Sequence, residues 1–167
     1  MKKMTEQNVK DALAGESQAH IRYLAFAEKA AAEKLPNVAR IFRANSYSEQ
    51  VHATNHLLTL DGVGPTSRNL AAAVAGETFE VEEMYPAFMK VAESQNEKTA
   101  LMYFGRAIAA EKIHAGIYKK AQAAVDKGQD IEAAPVHVCS VCGFTMEGAA
   151  PDKCPVCSSP REKFVEF

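Results

Sequence analysis

The feature that most constrains this chain is an internal repeat that places the same ionisable residues at the same spacing twice. The segment around Glu16 recurs around Glu77 with an offset of 61 residues, and Glu49-x-x-His52 recurs as Glu111-x-x-His114 with an offset of 62. The glutamate precedes its motif by 33 residues in one copy and by 34 in the other. Such separations suit helical hairpins whose marked residues meet at the same level. The repeat predicts two helix pairs, each with a glutamate on its first helix and Glu-x-x-His on its second.

Capping and breaking residues in the first 126 positions, which contain no cysteine, predict four helices with short connections and therefore an all-α four-helix bundle. Pro86 lies inside the third helix and predicts a kink or local break there. The chain divides into a bundle at 1–127, a linker at 128–136 and a turn-rich module at 137–167. The first predicted helix runs from a Thr5 cap to about Glu33, and the second from Pro36 to about Leu60. The third begins at a Thr66 or Ser67 cap. The fourth runs from an Asn96 cap to about Lys127, where Gly128 ends it.

The spacing of the repeated residues has a chemical consequence. Positions i and i+3 share one face of a helix, so the Glu and His of each motif can point at one metal ion. Two facing hairpins then deliver four carboxylates and two imidazoles inward, the ligand set of ferritin-like di-metal bundles. Oxygen and imidazole ligands favour iron or manganese. A single such motif is usually a solvated helix face, but two copies at matched distances favour a metal site with ligands Glu16, Glu49, His52, Glu77, Glu111 and His114.

The two copies of the repeat differ at one informative position. Ala19 in the first copy corresponds to Glu80 in the second, three residues after Glu77 and on its helix face. Glu80 is therefore a candidate seventh ligand, and the site is predicted to be asymmetric. Tyr23 and Tyr85 follow the glutamates along the same helices and are candidate hydrogen-bond partners of the carboxylates, with ordinary core aromatics as the alternative. The candidate catalytic residues are Glu80, His52, Tyr23 and Tyr85.

All four cysteines lie in the C-terminal module, as Cys139-x-x-Cys142 and Cys154-x-x-Cys157 with 11 residues between the pairs. Two such knuckles place four thiolates tetrahedrally around one metal ion. The ligand set alone does not separate zinc from iron. Proximity to a redox-capable di-iron site favours iron, because one iron at four sulfurs carries one electron. His137 is expected at the surface.

Composition excludes several classes of function. The net charge of −2 gives no electrostatic case for a nucleic-acid partner or an anionic membrane surface. No apolar run approaches the roughly 20 residues that cross a bilayer. The polar first ten residues do not look like a secretory signal. Closely spaced thiols in a reducing compartment are more often metal ligands than disulfides, so a cytoplasmic location is expected.

Taken together, these motifs resemble the rubrerythrin family over essentially the whole chain. The resemblance rests on Gly15-Glu16, both Glu-x-x-His motifs, the segment Gly76-Glu77-x-x-Glu80-x-x-x-Met84-Tyr85-Pro86, and the four cysteines of a rubredoxin-like end. The short spacer between the cysteine pairs is similar to a rubrerythrin tail and shorter than that of a free-standing rubredoxin. No ligand position of the family pattern is missing. The resemblance implies a ferritin-like four-helix bundle followed by a small, metal-stapled, rubredoxin-like β-rich domain.

The resemblance implies a non-haem peroxidase that reduces hydrogen peroxide to water in oxidative-stress defence. Electrons would come from a redox donor protein, a rubredoxin or a reductase using NAD(P)H. It implies that Glu49 and Glu111 bridge two irons, that Glu77 and His114 hold one, and that Glu16 holds the other, which exchanges His52 for Glu80. Cys139, Cys142, Cys154 and Cys157 would bind a further iron. It also implies a homodimer or larger homo-oligomer, with the cysteine iron of one subunit near the di-iron site of another.

Two other functions are compatible with parts of the pattern. A ferritin-like ferroxidase or iron-binding protein would use the same carboxylates and histidines, although it has no need of the cysteine module or a seventh ligand. A regulatory protein with a zinc ribbon would use the cysteines alone.

Overall fold

The computed structural model describes residues 1–132 and 134–167; residue 133, inside the predicted linker, lies outside the described residues. The chain separates into two compact units, Met1–Gly64 and Pro65–Phe167. The predicted domain boundaries remain a prediction. The elements are α1 (Lys3–Ala32), α2 (Pro36–Thr59), α3 (Thr66–Phe79), a π-helical segment (Glu80–Met84), α4 (Tyr85–Ser94), α5 (Lys98–Val125), β1 (Val136–Cys139), β2 (Thr145–Glu147), a 3-10 turn (Arg161–Lys163) and β3 (Phe164–Glu166).

The first unit is a hairpin of α1 and α2. Its most buried side chains are small: Ala27 and Ala39 are both 0% exposed. Small residues at these positions let the two helices approach closely. The buried Ser46 hydroxyl donates to the carbonyl of His20, whose Nδ1 lies 2.9 Å from the Ser46 oxygens. His20 is thus a satisfied helix residue between the two helices.

In the second unit, α3, the π-helical segment and α4 form one long helical run that pairs with α5. The predicted disruption at Pro86 is confirmed, since the chain is π-helical over Glu80–Met84 and returns to α-helix at Tyr85. Proline lacks an N–H and its ring crowds the preceding turn, so the regular hydrogen-bond ladder cannot continue through it. A π-helical segment is the usual way to absorb one extra residue, and such segments are frequent at functional sites.

The predicted N-caps were wrong at three helices. The first helix begins at Lys3, before Thr5; Pro65 precedes α3, which begins at Thr66; and α5 begins at Lys98. Asn96 instead ends the preceding helix, because its φ of 57° is left-handed and its N–H donates to the Glu93 carbonyl. Asparagine tolerates this conformation, which terminates many helices. The Pro36 start and the Gly128 stop, at a φ of 71°, agree with the prediction.

The C-terminal module is a three-stranded antiparallel sheet with strand order β2-β1-β3. The rings of Phe144 and Phe164 pack edge to face with centroids 6.5 Å apart, which supplies a small apolar core. His137 is not a surface residue as predicted: its side chain is only 12% exposed, and Nε2 lies 3.4 Å from Glu166. As a β1 residue, it points to a covered face of the sheet.

The predicted fold class is confirmed: four helical stretches are followed by a small β-rich module that contains all four cysteines. Within the described parts of the chain, no helix has the length and apolar character needed to cross a membrane.

Candidate metal centres

The hairpin of α1 and α2 carries a first group of ligand atoms, here called half-site one. It consists of Glu16, Glu49 and His52, whose ligand atoms lie within 4.8 Å of one another. Nδ1 of His52 is 2.9 Å from Oε2 of Glu49. The carboxylate of Glu49 is mostly covered, at 19% exposed, whereas the His52 side chain is 51% exposed. One copy of the sequence repeat therefore forms one compact cluster.

The second unit carries the matching group, half-site two, formed by Glu77 on α3 with Glu111 and His114 on α5. Nδ1 of His114 is 2.7 Å from Oε2 of Glu111 and 3.8 Å from Oε1 of Glu77. Burial, the hydrogen bond to Glu111 and the charges of Glu111 and Glu80 raise the pKa of Glu77 to about 7. The carboxylates of half-site two therefore lie close together, and among the described residues no cationic side chain lowers the pKa of Glu77.

Glu80 is the first residue of the π-helical segment and stands close to half-site two. Burial raises its pKa, the charge of Glu111 adds to this effect, and His114 opposes it. The residue is outside the tight cluster formed by Glu77, Glu111 and His114. The role of Glu80 as an additional ligand therefore remains a prediction. Its backbone is π-helical, so its side chain leaves the helix in a different direction from that in a regular α-helix.

The two tyrosines occupy different surroundings. Burial raises the pKa of Tyr85, and the charges of Glu80, Glu111 and Glu77 raise it further, so its hydroxyl lies within the field of half-site two. Tyr23 packs its ring against Phe26 and Phe42, with centroids 6.2 Å away in both cases. Among residues 1–132 and 134–167, neither hydroxyl makes the expected hydrogen bond to a carboxylate. The catalytic assignment of both residues remains a prediction.

The four cysteines form one cluster with all Sγ atoms within 4.8 Å of one another. Sγ of Cys139 is 3.7 Å from that of Cys157, and Sγ of Cys142 is 3.5 Å from that of Cys154. A tetrahedron with metal–sulfur bonds of about 2.3 Å has edges of roughly 3.8 Å, so these spacings suit one metal ion. The hydroxyl of Ser159, 3.2 Å from Cys157, helps to lower the pKa of that thiol to about 6, which favours the thiolate.

All three clusters fit metal ions on physical grounds. Oε2 of Glu77 is buried without a hydrogen-bond partner, an expensive state for a carboxylate oxygen unless a cation occupies the space beside it. The raised pKa of Glu77 has the same origin, since carboxylates crowd together with little compensating charge. The four cysteines are free thiols, not disulfides. Oxygen and imidazole donors suit iron in the half-sites, and four thiolates suit iron or zinc in the module.

The sequence offered no signal for one residue at this site. Thr145, at the start of β2, is 8% exposed and places Oγ1 2.8 Å from Nε2 of His114. A lone threonine in a turn-rich module gives no hint of a contact with a helix 31 residues away.

These features define a class: a helical iron protein that combines carboxylate–histidine clusters with a four-cysteine site. Sequence profiles agree, since the profile described as "Rubrerythrin" matches residues 7–122 and that of the "Rubrerythrin, rubredoxin-like domain" matches residues 137–165. The chain belongs to the rubrerythrin family. It is accordingly an oxidoreductase-type di-iron protein of oxidative-stress defence, and the predicted cofactors are confirmed at that level.

Individual relatives cover nearly the whole chain. Rubrerythrin-2 of Clostridium acetobutylicum is 38% identical over 98% of this chain and 97% of its own length. Nigerythrin of Nitratidesulfovibrio vulgaris is 31% identical over 98% of this chain and 86% of its own. Among solved structures, the partially reduced state of nigerythrin matches with a TM-score of 0.58 and 30% identity over 98% of this chain and 86% of that one.

Proposed function

We propose that this protein is a non-haem di-iron peroxidase that reduces hydrogen peroxide to water. The observation that carries the proposal is the presence, in one chain, of two equivalent carboxylate–histidine half-sites and a four-cysteine cluster. The half-sites provide ligands for a two-iron centre, and the cysteines provide a one-electron iron site to refill it. An iron-storage protein has no need of the latter.

The proposed ligands divide among the elements described above. Glu16, Glu49 and His52 belong to half-site one, and Glu77, Glu111 and His114 to half-site two. When bound, two ferrous ions supply together the two electrons that cleave the O–O bond, which avoids the hydroxyl radical of a one-electron reaction. The overall reaction consumes one peroxide, two electrons and two protons and yields two waters.

Residues around half-site two can manage the protons. The hydroxyl of Tyr85 has a raised pKa and stays protonated at neutral pH, so it can donate a hydrogen bond towards a developing negative charge. The rings of Phe88 and Phe104 pack against Tyr85 with centroids 6.5 and 5.9 Å away and support the position of its ring. Glu80, in the π-helical segment, and His52, which is half exposed, are the proposed alternative ligands of one metal position.

Rapid mixing of the anaerobically reduced protein with hydrogen peroxide tests this function. We expect rapid oxidation of the di-iron centre in the wild type. The oxidation rate should be markedly lower in both Glu80→Ala and His52→Ala. Glu83→Ala, which removes an exposed carboxylate from the same π-helical segment, serves as the matched control and should react like the wild type. Unchanged rates in both site variants would contradict the proposal.

Two alternatives make different predictions for purified protein. A ferroxidase or storage protein exposed to excess ferrous ion and air would retain many more irons than there are ligand positions, whereas a peroxidase would retain only those of its defined sites. A regulatory zinc-ribbon protein would be colourless, since ferric iron bound by four thiolates is strongly red.

The electron donor is proposed to be a rubredoxin or a reductase that uses NAD(P)H, and the expected setting is the cytoplasm, where thiols stay reduced. We also propose a homodimer or larger assembly of this chain. Large apolar side chains are exposed on α1 and α2, including Ile21 (62%) and Ile41 (60%), and such surfaces commonly mark protein contacts. Sedimentation of the metal-loaded protein should give at least twice the mass of one chain, and a monomer would contradict this part.

A further inference from the structure

The hydroxyl of Thr145 takes part in two hydrogen bonds whose directions can be deduced. Oγ1 lies 3.0 Å from the carbonyl oxygen of Gly143 and 2.8 Å from Nε2 of His114. A carbonyl oxygen only accepts, and a threonine hydroxyl has one proton to give. That proton is therefore committed to Gly143, and Oγ1 accepts from the ring. In this arrangement Nε2 of His114 carries a proton.

With a proton on Nε2, the other ring nitrogen is the one that a metal ion would take up. Without a metal ion, its 2.7 Å contact with the Glu111 carboxylate needs a second proton, which the metal ion would displace. In a neutral imidazole protonated on Nε2, the lone pair lies on Nδ1, which faces Glu111 at 2.7 Å and Glu77 at 3.8 Å. We propose that Thr145 is a positioning residue that holds His114 in the Nε2–H tautomer and directs Nδ1 at the metal of half-site two. The proposal rests on the proposed function, because it assumes that this half-site binds iron.

The repeat alone would make the two histidines equivalent, and Thr145 makes them different. His52 has its Nδ1 near Glu49, but in the part of the chain that the structure describes its Nε2 makes no hydrogen bond, and its side chain is 51% exposed against 28% for His114. A ligand fixed from behind keeps its position, whereas one fixed only by its metal can leave. Thr145 therefore assigns the anchored role to His114 and leaves the exchangeable role to His52.

The same hydrogen bonds connect half-site two with the cysteine module of the same chain. Gly143 follows Cys142 directly, and its N–H donates to the carbonyl of Cys139 at 2.8 Å. The carbonyl that fixes the Thr145 hydroxyl thus belongs to the first cysteine knuckle. A second contact between α5 and β2 is the ion pair of Lys120 and Glu147 at 2.9 Å, which is partly exposed to solvent and is expected to add little.

The test compares Thr145→Val, which keeps the shape and loses the hydroxyl, with Thr145→Ser, which keeps the hydroxyl. Lys120→Ala is the matched control, because it removes the ion pair between α5 and β2 without touching His114. The measurement is the rate at which a ferrous chelator removes iron from the reduced full-length protein. We expect Thr145→Val to lose half-site iron about 10- to 100-fold faster than wild type, and the other two variants to remain near wild type. Equal rates for Thr145→Val and wild type, or a Ser variant as fast as the Val variant, would overturn the proposal.

A second readout does not depend on iron release or on the folding of a variant. In the zinc-substituted, diamagnetic protein with ¹⁵N-labelled histidine, the proton of His114 should reside on Nε2 and exchange slowly; a proton on Nδ1 would overturn the proposal. In each iron-loaded variant, an unchanged visible band from the cysteine iron verifies that the module is intact. A wild-type protein that binds iron only at the cysteines would refute the proposed function. The tautomer of His114 in the zinc-substituted protein would still test the role of Thr145 independently.

Discussion

Glu111 and His114 lie one helical turn apart on α5, with Oε2 of the carboxylate 2.7 Å from Nδ1 of the ring. The corresponding pair on α2, Glu49 and His52, repeats this contact at 2.9 Å. The i, i+3 spacing of a helix produces this geometry at both places. A hydrogen bond joins the ring and the carboxylate in both pairs, and a metal ion would take the place of its proton.

Replacing Glu111 by Gln removes one negative charge from half-site two and keeps the shape. We expect loss of most of the di-iron centre with retention of the cysteine iron, since an amide neither balances the charge of two cations nor bridges them. Metal analysis together with the visible spectrum measures both. Glu82→Gln, at an exposed position, is the control and should keep its full iron content. Normal iron content in the Glu111 variant would exclude it as a ligand.

Cys154→Ser should abolish the metal site of the module, because Cys154 is 1% exposed and belongs to the four-sulfur cluster. The module has only a small apolar core, so its folding depends on metal binding. We expect the red colour to disappear and the amide protons of β1 and β2 to exchange rapidly with solvent, while those of the helices stay protected. Ser140→Ala, exposed inside the first knuckle, should leave both intact. Persistent amide protection in Cys154→Ser would show that the module folds without its metal.

The two tyrosine variants should differ in their effect on the peroxide reaction. Tyr85→Phe removes a hydroxyl that lies in the field of Glu80, Glu111 and Glu77, and we expect the oxidation rate to fall about tenfold or more. Tyr23 lies in an aromatic group with Phe26 and Phe42, so Tyr23→Phe should have a smaller effect. Stopped-flow oxidation of both reduced variants makes the comparison. Equal effects would remove the special role assigned to Tyr85.

The close contact between α1 and α2 depends on small side chains. Ala27→Leu forces a larger group into a position that is 0% exposed, and we expect a loss of about 1–3 kcal/mol in unfolding free energy. Ala25→Leu adds the same group to an exposed position of the same helix and should change stability by less than about 0.5 kcal/mol. Denaturant unfolding of both variants provides the values. An unchanged free energy of unfolding in Ala27→Leu would show that the two helices can move apart without loss of stability.

The ligand clusters could be predicted from sequence because the chemistry is encoded in short spacings. Each Glu-x-x-His motif needs only a regular helix to bring its residues together, and the repeat supplied the distance to the partner helix. The cysteine pairs are similarly local. Those predictions rest on helix geometry and not on tertiary packing.

Other features depend on contacts that spacing does not encode. The π-helical segment at Glu80 follows from a proline several residues later, and sequence indicated only a break. Asn96 has the residue type of an N-cap, yet its left-handed backbone ends the helix before it. Thr145 meets His114 only because β2 packs on α5, which no local pattern reveals.

The most direct test of the two-centre peroxidase is an anaerobic titration of the fully reduced, iron-loaded protein with hydrogen peroxide. The account predicts two irons in the di-iron centre and one at the cysteines, each giving up one electron. Since one peroxide accepts two electrons, the endpoint should fall at three peroxides for every two chains, with the red ferric–thiolate colour fully developed. An endpoint at one peroxide for every two chains, or no reaction, would contradict the account.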